Sequence, residues 1–155
     1  MKFPVWLLLL FLLLNFGALA LGSLLMEDPS TNEWYQASNK APWTPPGWVF
    51  GAAWFTIMAL FSVFMAIVVR RAEQKGPWIA LYSLQWILNV SWNPVFFNYH
   101  MPLTGLVILI VLLCVLLILA RKAFLLHKVS VWLLLPYALW IGIAISMDAY
   151  LWRMN

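Results

Sequence analysis

The sequence predicts an all-α integral membrane protein, a bundle of five transmembrane helices with its long first loop as a lid. Composition is the first reason. Of the 155 residues 65% are hydrophobic and 9% charged, and mean hydropathy is +0.91. Soluble domains carry about 45–50% apolar and about 25% charged residues. The second reason is five apolar runs, at about 5–25, 48–69, 78–97, 103–120 and 130–151, each close to the roughly 20 residues that a spanning helix needs. The third is the lack of alternation. Runs such as LVILIVLLCVLLILA do not switch between apolar and polar residues, as barrel strands must. One membrane domain, 1–155, accounts for the chain.

The first run begins like a secretory signal, with Lys2 and then Ala18-Leu19-Ala20. Its apolar stretch continues past that site to Met26, whereas a signal core ends after about 7–15 residues. A retained helix is favoured. The connection that follows, about 26–47, is the only long one and ends in KAPWTPPGW. Pro42, Pro45 and Pro46 fix φ near −65° and lack an N–H, so the end of this loop is stiff. It is read as a lid presenting Trp34, Tyr35 and Trp43 to the bundle; the plainer alternative is a loop anchored at the interface by its aromatics. Trp54, on the next helix, points into the bundle.

The third run is the most informative. Tyr82, Gln85, Asn89, Trp92 and Phe96 follow spacings of three and four, which puts them on one helical face. Amides at membrane depth must face protein or a cavity. Helix–helix hydrogen bonding would suffice for them, but rings on the same face favour a pocket, since ligand sites are mostly apolar with a few placed polar groups. Pro94 predicts a kink or loosened turn near the end of this helix. In the fourth run Cys114, the single cysteine, reads as a small buried hydrophobe. In the fifth, Pro136 predicts a second kink, and Tyr137, Trp140, Ala144 and Met147 repeat the helical spacing. Asp148 is the one acid inside any run. Its place near the outer end favours contact with interfacial water over contact with a ligand or partner.

Charge gives orientation. With five spans, Lys2, Arg70, Arg71, Lys75, Arg121, Lys122 and Lys128 share one side, and only Lys40 and Arg153 lie on the other. The positive-inside rule then makes the N-terminus cytoplasmic. The net charge of +4 is a topology signal, and no nucleic-acid partner is expected. Of the eleven tryptophans, Trp6, Trp48, Trp78, Trp132 and Trp152 lie near run ends, as an interfacial belt requires. Trp54, Trp86, Trp92 and Trp140 lie well inside. His100 and His127 have no companion ligands at metal spacing, so no metal site is expected.

These motifs, taken in order, resemble the TspO/MBR family of tryptophan-rich sensory proteins and translocator proteins, including the peripheral benzodiazepine receptor. The similarity runs from about Trp34 to Asn155. It takes in Trp34-Tyr35, Lys40, Trp43-Thr44-Pro45-Pro46-Gly47-Trp48-Val49-Phe50-Gly51 and Trp54. It continues through Gln85, Leu88-Asn89, Trp92, Pro94 and Phe96-Phe97 to Leu135-Pro136-Tyr137, Trp140, Ala144 and Trp152. The resemblance implies a five-helix bundle in a bacterial cell membrane, often a homodimer, with a lid over a pocket in each monomer. It implies tetrapyrrole ligands, protoporphyrin IX or haem, with no cofactor required. The pocket roles it implies fall to Trp54, Gln85, Asn89, Trp92, Phe96, Trp140 and Ala144, with Trp34 and Trp43 in the lid. The chain departs from the family at three places. Lys40-Ala41-Pro42-Trp43 stands for Lys-Pro-x-Trp, Met58 stands for a tyrosine of the animal members, and Asp148 stands for a common asparagine. The cholesterol motif fails before Tyr150, so sterol binding is not expected.

Four functions compete. A receptor or sensor for a flat porphyrin suits indole walls, with Gln85 and Asn89 hydrogen-bonding a propionate or carbonyl. A transporter would be expected to show repeats or a chain of membrane acids, and neither is present. Enzymatic constellations are also absent. The one chemistry the resemblance suggests is photo-oxidative porphyrin degradation with Trp54 and Trp140 as electron partners. A purely structural membrane protein would use the tryptophans for packing.

Overall fold

The computed structural model describes residues 5–155, so Lys2 of the charge count lies outside the described residues. Five long helices form: α1 (Val5–Leu25), α3 (Gly47–Arg71), α4 (Gly76–Phe97), α5 (Pro102–Leu126) and α6 (Leu135–Met154), with a short α2 (Glu33–Ala37) in the first loop. A 3-10 segment, Lys128–Leu133, precedes α6. Proline marks the starts. Pro46 caps α3, and Pro77, Pro102 and Pro136 occupy first-turn positions of α4, α5 and α6, where a missing N–H costs nothing.

The fifth helix therefore begins later than expected, and Pro136 starts it instead of kinking it, because the residues before it wind as 3-10 helix. Pro94 lies within α4, which continues through it to Phe97. Four segments are long and apolar enough to cross a membrane: Val5–Leu25, Gly47–Arg71, Pro102–Leu126 and Lys128–Met154. The 22 residues of α4 are less apolar, because Gln85, Asn89, Ser91 and Asn93 interrupt them.

Around the bundle each helix packs on its neighbours in the order α1, α4, α5, α6, α3 and back to α1. The core runs through the centre and includes Phe11, Phe61, Phe64, Leu112, Leu116, Leu119, Tyr137 and Ile141. Two polar links cross it. Asn15 donates to Ser62 Oγ at 2.8 Å and accepts from the Tyr82 hydroxyl at 2.8 Å, which joins α1, α3 and α4. Gln85 Nε2 donates to the Tyr137 hydroxyl at 2.7 Å, which joins α4 and α6. Such bonds add up to about 1–2 kcal/mol each in a bilayer interior, and they fix the rotation of each helix about its axis.

Gly22 permits one close approach. A Cβ there would stand 2.6 Å from Asn93 Nδ2, so the bare Cα of Gly22 lets α1 lie close against α4. Gly142, by contrast, has open space beside it. Two side chains differ from expectation. Trp78 is 5% exposed, buried beneath the Lys122 ammonium at 5.5 Å, and so is not a belt residue. Cys114 lies on the exposed face of α5, where a thiol is apolar enough for hydrocarbon.

Candidate functional site

The first loop folds back onto one end of the bundle. Asn32 caps α2 through Oδ1, which accepts from the Tyr35 amide at 2.8 Å, and its Nδ2 donates to Glu27 Oε2 and to the Phe97 carbonyl. Asn98 Nδ2 donates to the Leu25 carbonyl, and Asn39 is bonded to Asn155 at the other end of the chain. Trp34 stacks on His100 at 4.7 Å and meets Phe96 edge-on, and Tyr35 meets Phe96 and Phe97. Trp43 donates from Nε1 to Ser146 Oγ at 3.1 Å and packs on Tyr150. His100 takes a φ of 52°, a left-handed turn that costs a non-glycine residue energy. At the exposed Asp28 the Ser30 hydroxyl and amide hold the carboxyl below its ordinary range.

Beneath the loop lies a cavity of about 60 Å³. Helix α3 contributes Phe50 and Trp54 to its wall, α4 contributes Trp92 and Phe96, and α6 contributes Trp140, Ala144 and Asp148. The loop closes it with Tyr35, Lys40, Ala41 and Thr44. The rings are braced edge-to-face or stacked: Phe50 on Trp140, Trp54 on Tyr137 and Trp92 on Phe96. Asp148 is 4% exposed, and its Oδ2 accepts from Trp92 Nε1 at 3.0 Å. The protein buries it, against the expectation of interfacial water, because α5 begins beside it. A Cβ on Gly105 would stand 3.5 Å from Asp148 Oδ2. Burial first, and the Asp148 charge second, push the Tyr35 phenol above its ordinary value. Lys40 donates to Gln36 Oε1 at 3.3 Å and lies over the Tyr35 ring at 4.6 Å.

Of the residues singled out by sequence, Trp54, Trp92, Phe96, Trp140 and Ala144 line this cavity. Gln85 and Asn89 share the predicted face but stand off its wall. Gln85 is engaged with Tyr137, behind Trp54, and its Oε1 is buried without a partner. Trp34 and Trp43 stand in the loop, off the wall. Sequence reasoning named Lys40 and Phe50 in the motif without assigning them to the pocket, and it ranked a ligand or partner contact for Asp148 below interfacial water. The wall position of Asp148 was legible, since 144 and 148 are one helical turn apart. A larger apolar groove of about 400 Å³ lies between α5, the 3-10 segment and α6. Its rim residues Phe124, Val129 and Trp132 are exposed, and it gathers none of the residues above. No cluster of three or more potential metal ligands occurs among the described residues.

Comparison with known proteins agrees with this architecture. The sequence model of the TspO/MBR family matches residues 5–153. The tryptophan-rich sensory protein of Cereibacter sphaeroides is 34% identical over 97% of this chain and 92% of its own length. Protein CrtK of Rhodobacter capsulatus is 29% identical over 81% of each chain. The human translocator protein is 26% identical over 79% of this chain and 75% of its own.

Proposed function

Because the chain belongs to the TspO/MBR family, we propose that it is a membrane receptor or sensor that binds tetrapyrroles, or similarly flat hydrophobic ligands, within the bundle. The observation that carries this is the aromatic wall. Trp54, Trp92, Phe96 and Trp140, from three helices, surround one cavity inside an integral membrane protein. Indole and phenyl faces suit a planar π-system, each contact adding about 0.5–1.5 kcal/mol beyond area burial. Helix α4 is the fifth crossing in this reading. Its ends lie level with those of its neighbours, as Trp78 beneath Lys122 and Asn98 on Leu25 require.

The cavity of about 60 Å³ is far below the roughly 300–1,000 Å³ of ligand pockets. Binding a tetrapyrrole therefore requires the first loop to lift and the rings to part, which makes residues 26–46 the lid. Opening would bring the unpartnered Gln85 Oε1, and Asn89 one turn further along α4, within reach of a ligand carbonyl or carboxylate.

The test is quenching of tryptophan fluorescence by protoporphyrin IX in the dark, in detergent, for the wild type, Trp140→Phe and Ala144→Phe. Saturable quenching at micromolar concentration or tighter, weakened in both variants, supports the reading. Non-saturable quenching equal in all three proteins means partition into the micelle and removes it. A porphyrin-degrading activity would appear separately, as light- and oxygen-dependent bleaching lost in Trp54→Phe and Trp140→Phe.

A further inference from the structure

Apart from Thr44 and the Tyr35 phenol, the cavity wall is apolar except at two charged residues, Lys40 and Asp148, and no ion pair joins them. Lys40 is turned to Gln36 and the Tyr35 ring. Asp148 is 4% exposed and receives one hydrogen bond, from Trp92 Nε1 to Oδ2, while Oδ1 accepts none from any described residue. A carboxylate offers about four acceptor positions, and a buried charge is ordinarily paired or saturated with donors. Inside a membrane protein such a group points to a site, and its partner is named from what surrounds it.

Apart from Lys40, which is turned to Gln36 and Tyr35, the residues around Asp148 on the cavity wall are neutral. Trp92 from α4 and Gly105 from α5 stand against it, and Phe96, Trp54 and Tyr35 share the cavity wall with it. None supplies a second donor to Oδ1. Gly105 keeps this corner open, because a Cβ there would press on Phe96 at 3.3 Å and on Trp92 Nε1 at 3.4 Å. The indole therefore holds one oxygen of the carboxylate in place and leaves the other without a described donor, in a wall of rings that attract a cation through their faces.

We propose that Asp148 is a ligand-binding residue, and that the cavity selects flat aromatic molecules carrying a protonated nitrogen whose N–H meets Oδ1. The inference rests on the cavity being a ligand site, and it chooses among the flat hydrophobic ligands proposed above: protoporphyrin IX and haem, which carry no cationic nitrogen at neutral pH, would leave Asp148 unmatched. A ligand that also bears an acid would place it toward Lys40, away from Asp148.

The test uses the full chain in a nonionic detergent at neutral pH. The probes are 9-aminoacridine, a protonated three-ring cation, and anthracene, the same three rings without nitrogen. Tryptophan quenching in the dark gives both affinities. The wild type should bind 9-aminoacridine at least tenfold more tightly than anthracene. Asp148→Asn, which keeps an acceptor for Trp92, should lose at least tenfold for the cation and less than twofold for anthracene. Equal wild-type affinities overturn the proposal without recourse to any variant. An unchanged cation affinity in Asp148→Asn overturns it too, and equal losses for both probes make Asp148 a packing residue. If neither probe binds saturably the proposal fails, and the protoporphyrin titration then decides separately whether the cavity reading survives.

Discussion

Replacing Trp92 by Phe isolates the one hydrogen bond that Asp148 receives. Phenylalanine keeps an aromatic ring against Phe96 and Phe97, where the indole now stands at 5.1 and 5.7 Å, and removes the N–H that reaches Asp148 Oδ2 at 3.0 Å together with part of the indole's volume, a packing loss common to any background. A hydrogen bond to a charged group is worth about 1.5–3 kcal/mol, and a neutral one about 0.5–1.5 kcal/mol. The hydrogen-bond part of the Trp92→Phe cost should therefore be about 1.5–3 kcal/mol in the wild-type background and about 0.5–1.5 kcal/mol in Asp148→Asn, where the acceptor is neutral. For a chain of this length 1 kcal/mol moves the melting temperature by about 2–4 °C, so the hydrogen bond accounts for about 3–12 °C of the first drop and about 1–6 °C of the second, the packing loss being shared by both. Circular dichroism at 222 nm, followed on heating the four proteins of the cycle in one detergent, gives the coupling directly. Equal drops in both backgrounds would mean that the contact carries no charge-dependent energy, and the account of Asp148 as a buried carboxylate steadied by an indole would be wrong.

Three further outcomes are expected. Gly22→Ala places a Cβ 2.6 Å from Asn93 Nδ2 and should destabilise by about 1–3 kcal/mol through overpacking, whereas Gly17→Ala meets nothing within 4 Å and should be neutral or stabilising by up to about 1 kcal/mol; the same melts compare them. Asn32→Ala removes the α2 cap and the bonds to Glu27 and Phe97, and trypsin should then cut at Lys40 several-fold faster, as read by gel electrophoresis. Tyr137→Phe strands Gln85 Nε2, now bonded at 2.7 Å, at a cost of about 1–3 kcal/mol; a melting temperature within 1 °C of wild type would show that the amide finds another partner.

Much of the fold was legible because membrane helices announce themselves through unbroken apolar runs, and the polar positions within them are few. The α4 face from Tyr82 to Phe96 could be read from spacing alone, as could the Trp140–Ala144 stripe. Whether a side chain on such a face touches the cavity or a neighbouring helix could not. Gln85 and Trp92 share a face, yet Tyr137 claims one and the cavity the other, a matter of how deeply each lies along the axis. Trp78 shows the same limit: its place near a helix end suggests the interface, but the crossing of α4 and α5 buries it. The start of α6 was missed because Lys128–Leu133 is apolar in the middle and winds as 3-10 helix, which hydropathy does not distinguish from α-helix. Asp148 was misjudged because its neighbour Gly105 lies on another helix, and its burial depends on that close approach.

The smallness of the closed cavity affects how affinities for this protein should be read. If a bulky ligand enters only the open form, its apparent dissociation constant is the intrinsic one divided by the fraction of molecules that are open. An open fraction of about 1% would weaken every ligand about 100-fold, or about 2.7 kcal/mol, whatever contacts it makes. Substitutions therefore separate into two kinds. One that loosens the Asn32 clamp changes the open fraction and shifts all bulky ligands by a common factor, including those it never touches. Under the proposed function, one at Trp140, Ala144 or Asp148 would change the ranking among ligands. A panel of chemically different ligands, measured against one variant of each kind, would reveal the gate as a constant offset and the wall as a change in order.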